Sequence, residues 1–114
     1  MNYKVLIVDD CETICKVISK MLKDYEVDTS NTTMDALLTL EDHKIAFVDF
    51  NLGEKTGDRL TRTMKLVRKV YVIGMSGGEY NGNAFDDFIK KPITVDKVKK
   101  AMHKAEIAVK LGRV

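Results

Sequence analysis

The chain has no tryptophan, and its 114 residues include only two cysteines, two histidines and one proline. Cys11 and Cys15 are four apart, which is not the CxxC spacing of a redox pair. His43 and His103 are too far apart in sequence to complete a four-ligand zinc site with them. Both thiols are read as reduced packing groups, with a redox influence of Cys11 on the neighbouring acidic pair as the secondary reading. No apolar run approaches the roughly 18–20 residues of a membrane span. Met1-Asn2-Tyr3-Lys4 leads straight into a strand pattern, so no signal peptide is expected and the location is read as cytoplasmic. The formal net charge is +2, and no groove-reading motif accompanies it, which argues against a nucleic-acid partner. Basic residues gather instead on two predicted helices: Arg59, Arg62, Lys65, Arg68 and Lys69, then Lys97, Lys99, Lys100, Lys104 and Lys110. The simple reading is a pair of solvated faces; the other is a docking surface for an acidic partner.

With 45% apolar and 32% charged residues, the chain has the composition of a globular domain, and its length suits one core. Residues 1–114 are therefore expected to form a single domain with no output domain after it. Short apolar runs mark strands at about 3–8, 44–49 and 69–74, with weaker ones at Tyr25–Thr29 and about 86–90. Helical periodicity falls between them. The first helix covers about 11–23, with Ile14, Val17, Ile18, Met21 and Leu22 on one face. The second, about 33–41, follows the capping residues Ser30-Asn31-Thr32 and carries Met34, Leu37, Leu38 and Leu40. A loop, Asn51–Thr56, leads to Gly57 and a third helix with Leu60, Met64 and Val67. The last, about 94–110, aligns Val95, Val98, Met102, Ala105 and Val109.

Alternation of this kind predicts βαβ units and a five-stranded parallel sheet covered on both faces. The expected fold is α/β, a flavodoxin-like doubly wound sheet with strand order 2-1-3-4-5. One crossover breaks the pattern. Only nine residues, Gly77 to Phe85, separate Ser76 from Asp86, and Gly77, Gly78, Asn81, Gly82 and Asn83 are among them. A crossover with its helix needs roughly 10–12 residues, and glycine and asparagine oppose helix formation. The helix between the fourth and fifth strands is expected to be absent or reduced to a turn.

Asp9-Asp10, Asp49, Ser76 and Lys91-Pro92 follow four of the five strand patterns, where parallel sheets gather their functional groups. Singly, each has a bland explanation: a helix cap, a strand end, turn chemistry, an entry into the last helix. Together they form an acid, hydroxyl and ammonium set at one edge. Clustered carboxylates repel by about 4 kcal/mol per pair at 4 Å and an effective dielectric near 20. Such a set raises a pKa or recruits a cation. Mg²⁺ suits these oxygen ligands, and Mn²⁺ can substitute. Asp49, alone at the end of a central strand, is the best nucleophile candidate. Lys91, the Ser76 hydroxyl and the Gly77 N–H are placed to contact a phosphoryl group.

These residues resemble those of a response-regulator receiver domain of two-component signalling, similar to the single-domain chemotaxis regulators. The likeness runs through Asp9-Asp10, Val48-Asp49, Gly57, Met75-Ser76-Gly77 and Lys91-Pro92. It implies Asp49 as phosphoacceptor, Asp10 and Asp49 as direct Mg²⁺ ligands, Asp9 acting through metal-bound water, and the Asn51 backbone carbonyl as a further ligand. It implies switch roles for Ser76 and for Phe88, and a cis Lys91-Pro92 peptide. Phosphoryl would come from a histidine kinase or phosphotransfer protein, and output would be contact with a downstream protein target. The chain would be no enzyme beyond Mg²⁺-dependent self-phosphorylation and self-dephosphorylation. Gly53 stands where relatives often have proline and is expected to loosen the loop after Asp49. Tyr80 either takes over part of the surface of the missing helix or sits at a flexible loop tip. Two other functions compete: a pseudo-receiver that is never phosphorylated, and a haloacid-dehalogenase-type phosphatase. The second lacks its Asp-x-Asp motif, since the first strand ends Asp9-Asp10-Cys11-Glu12.

Overall fold

A computed structural model describes residues 3–53 and 55–114. Its elements, in chain order, are β1 (Lys4–Val8), α1 (Glu12–Met21), β2 (Glu26–Ser30), α2 (Thr33–Thr39) and β3 (Ile45–Asp49). Then come β4 (Asn51–Leu52), β5 (Lys55–Thr56), α3 (Gly57–Val67), β6 (Tyr71–Ser76), β7 (Asp87–Lys90) and α4 (Val95–Lys110). Five strands make one parallel sheet in the order β2-β1-β3-β6-β7, the doubly wound order expected. Strand alternation divides the core into two layers. Val5, Ile7, Phe47, Ile73 and Met75 face α1 and α4, while Leu6, Val8, Ala46, Val48 and Val72 face α2 and α3.

The helical faces differ in detail from the periodicity reading. Val17 is 40% exposed in α1, where Cys15 is buried instead. Met34 and Leu38 project from α2 at 67% and 73% exposure, and Ala36 and Leu40 supply its contact with the sheet. Val67 and Val95 are also exposed, and Thr61 and Ala101 are buried in their helices. A seven-residue helix has room for one narrow buried stripe, so alternate apolar residues are left to solvent. Thr32 caps α2, its Oγ1 accepting from the Asp35 N–H at 3.0 Å, and Thr94 caps α4 in the same way.

The loop expected at Asn51–Thr56 contains a small antiparallel pair, with Asn51 opposite Thr56 and Leu52 opposite Lys55. Gly53 turns it with φ +72°, a left-handed conformation that proline cannot adopt. The positive φ at Gly53 is the conformation in which it leaves β4.

Between β6 and β7 there is no helix among the described residues. The crossover is held by two other devices. At its end, the Asp86 N–H donates to the Val72 carbonyl at 2.8 Å, and the Asp86 carboxylate accepts from the Val72 N–H at 2.8 Å. Lys65 on α3 reaches that same carboxylate and the Val70 carbonyl. In its middle, Tyr80 folds back onto three phenylalanines: its ring lies 4.9 Å from that of Phe85, 5.5 Å from Phe50 and 5.6 Å from Phe88. The last of these pairs is stacked at 23°. Its hydroxyl accepts from the Ala84 N–H at 3.1 Å. Phe85 lies over Gly74, where a Cβ would meet the ring at 2.3 Å. Tyr80 is thus packed as part of an aromatic cluster and is not a loop tip.

Candidate functional site

Parallel pairing brings the carboxyl ends of β1, β3, β6 and β7 to one edge, and the predicted residues meet there. Asp9, Asp10 and Asp49 each offer a carboxylate oxygen, and all three atoms lie within 4.8 Å of one another. Asp9 and Asp49 are buried, and Asp10 is open to solvent. Lys91 Nζ stands 3.2 Å from Asp49 Oδ1 and 3.6 Å from Asp9 Oδ2. Lys91 is the one cation facing both oxygens, and no other hydrogen-bond donor reaches them among the described residues.

Desolvation pushes the carboxyl groups of Asp9 and Asp49 above the ordinary range, each against the pull of Lys91. Asp49 also raises Asp9, and Asp10 raises both. Partial burial works against the Lys91 ammonium, but Asp9 and Asp49 outweigh it and hold its pKa above the usual lysine value. The ensemble is an anionic pocket with one cation on one side.

The backbone around the site is fixed closely. Asp9 Oδ1 accepts from the Cys11 N–H at 2.9 Å, and the Asp9 carbonyl accepts from Asn31 Nδ2 at 2.9 Å and from the Cys15 thiol at 3.5 Å. Burial pushes that thiol up to about 11, so it stays protonated and acts as a donor. Cys11 is exposed beside the acidic pair. The Asn31 contact escaped the sequence reading, which took Ser30-Asn31-Thr32 only as capping chemistry; an asparagine beside a cap offers no pattern by which a long-range bond to residue 9 shows. Gly57 carries the tightest approach. A Cβ there would lie 2.1 Å from the Asp49 carbonyl oxygen, and its N–H donates to the Phe50 carbonyl at 2.7 Å.

Ser76 ends β6, its Oγ buried and accepting from the Gly78 N–H at 3.1 Å. The Lys91 N–H donates to the Ser76 carbonyl at 2.7 Å, tying the lysine to the neighbouring strand. Gly77 is exposed, with open space where a side chain would be. Phe88 is half-buried on β7 in the aromatic cluster, Asn51 starts β4 two residues after Asp49, and the Lys91-Pro92 peptide is cis.

No protein-family model matches the chain. A curated relative, the two-component response regulator ARR11 of Arabidopsis thaliana, is 33% identical over 112 residues, covering 87% of this chain. The chain spans 22% of that relative's length. Among solved structures, a CheY-like response regulator receiver domain protein from Methanospirillum hungatei JF-1 superposes with a TM-score of 0.84 at 26% identity, covering 96% of this chain and 98% of that one. The BeF3-activated DrrB receiver domain matches with the same TM-score at 24% identity, over 92% of this chain and 97% of that one. Fold and site together define an acidic pocket, with one lysine beside it, at the carboxyl edge of a flavodoxin-like sheet. The chain carries the fold of the response-regulator receiver domains and the acid, hydroxyl and lysine set by which it resembles them, with an aromatic cluster in place of a helix in its last crossover.

Proposed function

We propose that the chain is a phosphorylatable switch of two-component signalling, with Asp49 as the phosphoacceptor. The observation that carries this reading is Asp49 Oδ1: buried, 3.2 Å from the Lys91 ammonium, and beside two further carboxylates.

The buried oxygens of Asp9 and Asp49 and the exposed carboxylate of Asp10 fit a hard divalent cation. Asp10 and Asp49 would hold Mg²⁺ (or Mn²⁺) directly, Asp9 through a bound water, and the Asn51 carbonyl would add a protein ligand. When bound, the cation offsets the negative charge of the transferring group and of the carboxylates. The chain's own groups do the rest. An Asp49 carboxylate oxygen forms the new O–P bond as the P–N bond of a phosphohistidine, or the P–O bond of acetyl phosphate, breaks. The leaving group carries the electron pair and takes its proton from solvent. Lys91 stays protonated and turns from the carboxylate to a phosphoryl oxygen, which its raised pKa favours. The Ser76 hydroxyl, now receiving the Gly78 N–H, rotates to donate to another, and the Gly77 N–H serves a third. Phe88 responds to the space that Ser76 leaves. Donors would be a histidine kinase or phosphotransfer protein, and output a contact with a downstream protein.

The test is intact-protein mass after incubation with acetyl phosphate or phosphoramidate, with and without Mg²⁺. Mass is the suitable readout because the chain has no tryptophan to report quenching. A Mg²⁺-dependent phosphoryl adduct that disappears in Asp49→Asn is the expected result. An adduct that persists in Asp49→Asn refutes the assignment. No adduct from either donor, nor from a phosphorylated kinase, favours the unphosphorylated interaction module, a reading that the missing helix supports.

A further inference from the structure

Of the eight large apolar residues that stand exposed among the described residues, four lie on α2 and α3, the two helices that cover one face of the sheet. Met34 and Leu38 are one turn apart on α2, and Leu66 and Val67 end α3 at 87% and 51% exposure. Between the helices lies a recess of about 110 Å³, lined by Thr33 and Leu37 of α2, by Arg59, Leu60 and Thr63 of α3, and by Lys55. Leu66 is three residues after Thr63 and seven after Arg59, so it extends their stripe. Met34 and Leu38 directly follow Thr33 and Leu37, so apolar side chains border the recess on both sides. Exposed apolar groups gathered in this way mark an interaction surface, whereas scattered ones need no explanation.

The charge of the face is one-sided. Lys55 and Arg59 stand at the end where both helices begin, and neither has an ion-pair partner among the described residues. Arg62 is exposed and pairs with Asp58 at 3.4 Å. At the far end, Arg68 donates to the Glu41 carbonyl, and Lys69 follows it.

Two helices side by side with a recess between them can receive a third, whose apolar side chains enter the recess and cover its borders. The basic end selects the charge of that helix. We propose that the α2–α3 face docks an amphipathic helix of a partner protein, its apolar stripe over Met34, Leu37, Leu38 and Leu66 and its acidic side chains toward Lys55 and Arg59. A second copy of this chain is the poorer occupant. Lys55 and Arg59 make one end of the face basic, Arg68 and Lys69 the other, so either alignment of two copies opposes like charges. Nucleic acid is also poorer, since the exposed leucines and methionine would be set against a phosphate backbone. The face shares no residue with the acidic pocket, so it can be tested whether or not Asp49 is phosphorylated.

The probe is a blocked helical peptide of about four turns, built from leucine, alanine and glutamate with its leucines on one stripe. It is titrated into the whole ¹⁵N-labelled chain and followed by amide chemical shifts. One control carries lysine in place of glutamate, and another has the same composition with its leucines dispersed. The acidic peptide should bind saturably, roughly ten-fold more tightly than the lysine peptide at low salt, from two exposed charge pairs made in one and opposed in the other. That difference should shrink at about 0.15 M ionic strength, where the screening length is about 8 Å. Shifts should concentrate at 33–38 and 55–66. The variant L38Q/L66Q should weaken binding at least roughly ten-fold, since it removes two apolar side chains from the contact. R59E should remove the preference for glutamate over lysine. All three positions are exposed, and thermal melting checks that each variant folds. Absence of saturable binding overturns the proposal, as does equal affinity for the dispersed peptide or the lysine peptide, unchanged affinity in L38Q/L66Q, or shifts centred on another face. So do tighter binding of a short oligothymidylate and concentration-dependent shifts at 33–38 without peptide, which would point to self-association.

Discussion

Replacing Tyr80 by alanine measures how far an aromatic cluster can stand in for a helix. The ring is half-buried against Phe50, Phe85 and Phe88, with centroid distances of 5.5, 4.9 and 5.6 Å. Truncating a fully buried aromatic costs about 3–5 kcal/mol, so half of that burial predicts about 2 kcal/mol. For a chain of this length that is a fall in Tm of roughly 8 °C. Tyr80→Phe removes only the bond to the Ala84 N–H and should cost about 0.5 kcal/mol. A second substitution sharpens the test. A Cβ on Gly82 would lie 2.3 Å from the Tyr80 hydroxyl oxygen, so Gly82→Ala should be destabilising in the native background and close to neutral beside Tyr80→Ala. The double-mutant cycle should give a coupling of about 1 kcal/mol. Urea and thermal melts followed by far-ultraviolet circular dichroism supply all four corners. A Tyr80→Ala change under about 0.5 kcal/mol with no coupling to Gly82, the scale of an ordinary surface substitution, would refute the packing argument.

Two further outcomes follow from the acidic pocket. Asp9 has its carboxyl raised, so the native state binds more protons than the unfolded chain above an ordinary value of 3.8. Its contribution to stability is therefore largest in acid and is lost as pH rises through the raised value. In metal-free buffer at pH 7, Asp9→Asn should stabilise the fold by roughly 1–3 kcal/mol, the scale of an unsatisfied buried polar group, and the gain should vanish below pH 4. Parallel urea melts across that range check it; destabilisation at pH 7 would contradict the sign. Gly57→Ala should cost at least about 3 kcal/mol, because the new methyl meets the Asp49 backbone at 2.1 Å and neither chain segment is a flexible side chain. Thermal melting reads this directly, and a loss under 1 kcal/mol would show that the two segments can part.

Sheet order and the acid, hydroxyl and lysine set were legible because period and strand-end position are written locally. Val5–Val8 and Ile45–Val48 are continuous apolar runs, as strands buried on both faces require, and the chemistry follows each directly. Shortage of residues gave away the missing helix at Gly77–Phe85. What replaced it was not legible. Tyr80, Phe85 and Phe88 lie within nine residues, but Phe50 comes from beyond α3, and nothing in their spacing announces that four rings converge. The same limit hid Asn31 behind its capping neighbour and the Lys65–Asp86 pair behind helix periodicity. Exposed Met34 and Leu38 mark the opposite error: periodicity finds apolar residues on a helix, but the length of that helix decides how many the sheet can cover.

The contact between Phe85 and Gly74 reaches beyond this molecule. The ring takes the volume that a side chain at 74 would fill, so alanine at 74 demands a smaller residue at 85, and an aromatic at 85 demands glycine at 74. Alanine at 74 beside the Phe85 ring is the combination the contact forbids. The two positions should be inherited as a unit, glycine with aromatic, wherever descendants keep the shortened crossover, while the exposed residues at 77–79 and 81–83 drift in length and composition.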